Sequence, residues 1–203
     1  MLLEFDMRFV IALILLVLTA CDKETLPQGQ AQPASAENSN IAGKADIMLE
    51  SANGARAMLS YKFAGQKAPT AHFADADGQD VTLADFEGKP LLLNIWATWC
   101  PPCRTEMPTL DALAKLEKDR MAVIAVSQDL DGRAPVLAFF NETKVQNLEP
   151  YTDADNAMLA AFNNALALPT TILYDSAGKE VWRLTGGVEW DNAEIAELLR
   201  AAD

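Results

Sequence analysis

The run Leu91-Leu92-Leu93-Asn94-Ile95-Trp96, followed after a short spacer by Cys100-Pro101-Pro102-Cys103, constrains the fold more than any other part of the chain. An almost unbroken apolar run of this length reads as a strand covered on both faces. Pro101 suits the first position of a helix, where no N–H is needed. Two cysteines therefore fall on the first turn of a helix that begins where a buried strand ends. The unpaired N–H groups of such a start carry partial positive charge and favour a thiolate. Cys100, nearer the start, is the expected nucleophile, and Cys103, one turn deeper, the resolving thiol. Pro102 restricts the backbone between them. Cys-x-x-Cys is also half of a zinc site. A zinc site would need a second ligand pair, and the sequence offers only Cys21 and His72, far apart. Redox chemistry is the preferred reading, with no metal.

Charge and composition narrow the class further. A net charge of −13 without any Lys/Arg cluster excludes nucleic acid as a partner and disfavours electrostatic adhesion to an anionic membrane. Half of the residues are apolar and 22% charged, which describes a globular chain. Phe9 to Ala20 is an apolar run shorter than the roughly twenty residues that span a bilayer, and it fits the h-region of a secretory signal. Glu4 and Asp6 sit badly in an n-region, so Met7 is an alternative start. Leu18-Thr19-Ala20-Cys21 resembles a bacterial lipobox, which implies a lipidated Cys21 and attachment to the membrane through that lipid. An uncleaved leader or a chance cysteine is the alternative. Three cysteines then divide into one anchor and one redox pair. The expected organisation is a leader over 1–20, a lipidated cysteine, tether and lead-in over 21–66, and a folded domain over 67–203. Pro27 to Asn40 is too poor in large apolar residues to order itself. Ile41 to Tyr61 is compatible with a loose helix or a weakly ordered lead-in.

The domain itself is α/β. Asp77-Gly78 turns a short hairpin between strands at Ala71–Phe73 and Val81–Leu83, and Asp85 to Lys89 forms a turn. A helix over 101–119 places Leu110, Leu113 and Leu116 on one face. A buried strand over 121–127, a helix over 134–144, a short strand over 148–151 and a helix over 156–163 follow. A hairpin joins 170–174 to 180–184, and Asp191 with Glu194 reads as a capping box for the last helix. No Gly-rich loop follows a strand, so no nucleotide cofactor is expected.

Asn94-Ile95-Trp96-Ala97-Thr98-Trp99-Cys100-Pro101-Pro102-Cys103-Arg104-Thr105-Glu106-Met107-Pro108, together with Leu168-Pro169-Thr170-Thr171, resembles the TlpA/ResA family of membrane-anchored, thioredoxin-like oxidoreductases of the bacterial envelope. The resemblance implies a thioredoxin-like fold, a central mixed sheet flanked by helices, with an N-terminal β-hairpin and a central αβ insertion. It implies a redox disulfide between Cys100 and Cys103. Pro169 matches a cis proline facing the cysteines, so that the Leu168 backbone meets an extended client. Trp99, Pro101 and Pro102 would shape the same substrate groove. Asn94 departs from the buried Asp of cytosolic thioredoxins and cannot relay protons. Glu106 matches an acidic residue of the family and shares a helical face with Cys103, which suits a proton-exchanging carboxyl; an ordinary surface Glu is the alternative.

By that resemblance the chain reduces disulfides in client proteins, with apo-cytochrome c or copper-centre proteins as clients and a membrane thiol carrier as electron donor. It would face the periplasm from a lipid anchor. A disulfide oxidase or isomerase uses the same chemistry. A copper metallochaperone on this fold would space its cysteines by three and add a distal His, neither of which is present. A non-catalytic module with a structural disulfide is the remaining alternative.

Overall fold

The computed structural model describes residues 44–51, 54–163 and 165–200. The leader, Cys21 and the stretch from Pro27 to Asn40 lie outside them. In chain order the strands are β1 (Ile47–Glu50), β2 (Arg56–Ser60), β3 (Phe73–Ala74), β4 (Asp80–Val81), β5 (Leu91–Trp96), β6 (Ala122–Ser127), β7 (Tyr151–Thr152), β8 (Thr170–Tyr174) and β9 (Glu180–Thr185). The helices are α1 (Pro101–Glu117), α2 (Arg133–Thr143), α3 (Ala157–Ala161) and α4 (Ala193–Leu199). All nine strands among the described residues join one sheet in the order β1-β2-β9-β8-β5-β6-β7-β3-β4. β5 runs parallel to β6 and antiparallel to β8.

β5 is the keystone because both of its faces are covered. Leu92 and Trp96 point into one core with Met107 and Leu110 of α1, Phe139 and Phe140 of α2, and Ile195 of α4. Leu91, Leu93 and Ile95 point into the other, with Phe73, Tyr151 and Met158. The alternation follows from the two-residue repeat of a strand. Leu92, Leu93 and Ile95 are fully buried, each stabilising the fold by roughly 1.5–3 kcal/mol. The same parity puts Asn94 on the α1 side, which matters for the site.

After β6 the chain adds α2, β7 and α3 before returning to β8, and the hairpin β3–β4 pairs with β7 at the sheet edge. The fold is thioredoxin-like, with the N-terminal hairpin and central insertion where the sequence puts them. Asp111 on α1 secures the loop after α2: its carboxylate accepts from the amides of Gln146, Asn147 and Leu148 and from Asn147 Nδ2, at 2.6–3.0 Å.

Several local expectations change. Ile47–Glu50 and Arg56–Ser60 form neither a loose helix nor a weakly ordered lead-in but the hairpin β1–β2, and β2 pairs with β9. The sheet thus begins ahead of residue 67, inside the 21–66 segment read as tether and lead-in. Leu83 belongs to a 3-10 turn over Leu83–Phe86, capped by Thr82 and Asp85, rather than to a strand. Leu116 is 78% exposed while Leu110 and Leu113 are buried. The cap of α4 is Asn192, whose Oδ1 accepts from the Ile195 amide at 2.8 Å, so the cap falls one residue after Asp191 and the expected Asp191–Glu194 box does not form. No helix among the described residues is long and apolar enough to cross a membrane.

Candidate active site

The end of β5 and the start of α1 place the cysteines. Thr98 in the intervening turn is fixed to Asp129 after β6: Asp129 Oδ2 accepts from the Thr98 amide at 2.9 Å and Oδ1 from its hydroxyl at 2.6 Å. Arg104 closes the turn from the other side, donating to the Thr98 carbonyl at 3.3 Å with its guanidinium 4.7 Å above the Phe139 ring. Cys100 is the N-cap of α1, and Pro101 and Pro102 fill the first two helical positions. Neither proline has an N–H, and the Arg104 amide already bonds the Cys100 carbonyl. The Cys103 N–H is what remains of the first turn's unpaired donors.

Cys100 and Cys103 are joined as a disulfide with their Cα atoms 5.3 Å apart. Cys100 is 4% exposed and Cys103 0%, so Cys100 is the sulfur reached first. It opens on a groove of about 680 Å³, lined among others by exposed Trp99 and by Gln128, Leu159, Leu166 and Leu168. Pro101 and Pro102 line it from the helix side. The Leu168–Pro169 peptide is cis. The Pro169 carbonyl accepts from Gly186 N, whereas the N–H and carbonyl of Leu168 bond no other described residue.

Glu106 lies one turn beyond Cys103 and is 2% exposed, so it is no surface carboxylate. Its Oε1 accepts from Asn94 Nδ2 at 2.8 Å and its Oε2 from Val188 N at 3.1 Å. Asn94 Nδ2 also donates to Thr171 Oγ1 at 2.9 Å, which leaves Asn94 Oδ1 without a partner. Burial penalises the charged form and pushes the Glu106 pKa up to about 8, although the hydrogen bonds from Asn94 and Val188 pull the other way. Asn94 therefore relays nothing itself; it is a donor that holds the titratable group. Glu106 also lines a second cavity of about 510 Å³ between the start of α1 and the segment after β9.

Of the residues singled out in the sequence, Trp99, Cys100, Pro101 and Pro102 meet Leu168 in the groove, whereas Glu106 lines the second cavity with Pro102; Pro169 follows Leu168 but is not among the groove's lining residues. Gln128, Leu159 and Leu166 were not foreseen. A signal existed for Gln128: it directly follows a buried parallel strand, and open α/β sheets bind ligands beyond such strand ends. Leu159 and Leu166 carry no comparable mark, because the insertion brings them to the groove only through tertiary packing.

A cysteine pair open to a groove, opposite a proline loop with a free backbone, can exchange two electrons with a docked disulfide. That is the site of a thioredoxin-like oxidoreductase. Residues 63–199 match the Redoxin family model. The chain is 31% identical over 137 residues to the thiol-disulfide oxidoreductase ResA of Bacillus thuringiensis subsp. konkukian, covering 67% of this chain and 76% of that protein. It superposes with a TM-score of 0.60 and 25% identity on a Chlorobium tepidum chain assigned as the thiol:disulfide interchange protein DsbE, over 69% of this chain and 98% of that one. It also matches the exposed lipoprotein thioredoxin Etrx1 of Streptococcus pneumoniae, with a TM-score of 0.54 and 26% identity over 64% of this chain and 96% of that one. The chain belongs to the Redoxin family, and within it to the ResA type; it is a thiol–disulfide oxidoreductase.

Proposed function

We propose that this protein is a lipid-anchored reductant of client disulfides in the bacterial envelope, facing the periplasm. The observation that carries this reading is Cys100, the outer sulfur, standing at a helix start in a groove beside the free Leu168 backbone. The Cys100 thiolate attacks one sulfur of the client disulfide, forms a mixed disulfide and releases the other client sulfur as a thiolate. The Cys103 thiolate then attacks Cys100 Sγ, releases the second client thiolate and leaves the Cys100–Cys103 disulfide. Glu106 exchanges the proton that Cys103 gains or loses. Leu168, Pro169, Trp99, Pro101 and Pro102 hold the client strand, with Leu168 pairing to it through its N–H and carbonyl. A membrane thiol carrier returns the two electrons. Clients are apo-cytochrome c or copper-centre proteins, a reading supported by the likeness to ResA. Lipidation at Cys21 is supported by the lipobox-like segment and by a structural relative that is itself a lipoprotein.

Insulin reduction tests the chemistry. Cys100→Ser should abolish it, and Cys103→Ser should accumulate a mixed disulfide with the client that can be isolated and identified. Full turnover by the Cys100→Ser variant would overturn the assignment of the nucleophile. For the anchor, Cys21→Ser should move the protein to the soluble envelope fraction or leave it unprocessed; normal processing with membrane retention would refute lipidation there.

A further inference from the structure

Gln128 is the buried polar side chain among the groove's described lining residues that the chemistry above does not use; the other unused polar one, Asn156, is only half-buried. It is 2% exposed and lines the groove beside Cys100. Its neighbours are engaged: Ser127 Oγ donates to Asp129 Oδ2 at 2.6 Å, and the Asp129 carboxylate is taken up by Thr98. Asp153, across from it, accepts from the amides of Ala157 and Met158 at the start of α3. The Gln128 amide lies close enough to ease the charge on Asp153. Even so, neither its Nε2 nor its Oε1 is within hydrogen-bond geometry of a protein group. Folded proteins rarely leave both ends of a buried amide unmet. A carboxamide offers a donor and an acceptor side by side, the complement of a peptide group.

The surroundings define what that peptide carries. Leu130, 70% exposed, stands with Leu159 and Leu166 along the wall that the insertion builds. No described residue lining the groove bears a charge, and the chain as a whole carries −13. An anionic disulfide finds no countercharge here and meets a repelling field.

We propose that Gln128 and the insertion wall read the client. The groove takes an extended, uncharged peptide with a large aliphatic side chain next to its disulfide cysteine, and disfavours anionic disulfides of the glutathione type. Gln128 bonds the client backbone from the side opposite Leu168, while Leu130, Leu159 and Leu166 receive the aliphatic side chain. This rests on the oxidoreductase reading above and adds its substrate class.

The test uses the full chain and two synthetic peptide disulfides that differ only in Leu or Glu after the cysteine, with oxidised glutathione and the small neutral dipyridyl disulfide beside them. The wild type should favour the Leu peptide over the Glu peptide by at least ~10-fold in kcat/KM and reduce oxidised glutathione more slowly than either. Gln128→Met should raise KM for both peptides ~10-fold, with a loss on dipyridyl disulfide of no more than ~2-fold. Because that buried site could disturb folding, Leu130→Lys at the exposed rim serves as a second variant and should bring the Leu and Glu peptides close to parity. Equal kcat/KM for the two peptides in the wild type, or an unchanged peptide KM in Gln128→Met, overturns the proposal while leaving the oxidoreductase intact. Failure to reduce any of the four disulfides, dipyridyl disulfide included, overturns the underlying reading instead.

Discussion

Glu106 is a carboxyl group kept where its charge is costly, and that cost has a definite pH signature. Its folded pKa of about 8 lies above its ordinary value of 4.5. As pH rises through 4.5 the unfolded chain releases this proton while the folded chain keeps it. Over that window the unfolded state binds fewer protons, so stability falls by about 1.4 kcal/mol per pH unit and levels off near pH 8. Glu106→Gln has no such slope. Its amide can be accommodated, because Asn94 Oδ1 lacks a partner and a rotated Asn94 amide would accept from it. Denaturant midpoints between pH 5 and 8 should therefore fall for wild type and stay nearly level for Glu106→Gln. Parallel profiles would show that the carboxyl ionises freely in the fold. The pH profile of disulfide reduction should shift in the same variant, since groups that interact titrate jointly. The spacing from Cys103 made Glu106 visible in the sequence. Its burial was not visible, because it depends on the Val188 amide, which arrives from the far end of the domain.

Among the elements, the strand–turn–helix at β5 and α1 was legible because apolar run, proline and cysteine spacing agree locally. The hairpin β1–β2 was not. Its Ala, Met and Leu residues suit a helix as well as a strand, and what makes it a sheet is pairing to β9, a contact no local pattern reports. Gly186, just after β9, is where that pairing is most exacting. It has φ +110°, and a Cβ there would stand 2.3 Å from the Arg56 carbonyl and 2.9 Å from Ala57 Cα. Its N–H also holds the Pro169 carbonyl. Gly186→Ala should destabilise the protein by about 1–3 kcal/mol. Hydrogen exchange should show Ala57 to Leu59 losing protection while β5 and β6 keep theirs. Unchanged protection across β2 would mean the backbone yields there without detaching the hairpin.

At the scale of the whole molecule, charge and groove act at different ranges. A surplus of −13 attracts a cationic client from a distance, whereas the uncharged groove decides what docks. Raising ionic strength from 0.01 to 0.15 M shortens the screening length from about 30 to 8 Å. Reduction of a lysine-rich client should then lose ~10-fold in kcat/KM, an effect carried by the association rate, with little change for neutral dipyridyl disulfide. Salt independence for the lysine-rich client would remove steering from the account. The order of strands across the sheet also sets a timetable. β5 can find β6 soon after both exist, but Met58 of β2 must wait for Thr185 of β9. At synthesis rates of roughly 5–20 residues per second, that wait is on the order of ten seconds. Until β9 exists, Ala57 and Leu59 have only β1 to pair with, so the part of the sheet made first is the part seated last, and its greasy side is the natural handhold for a chaperone.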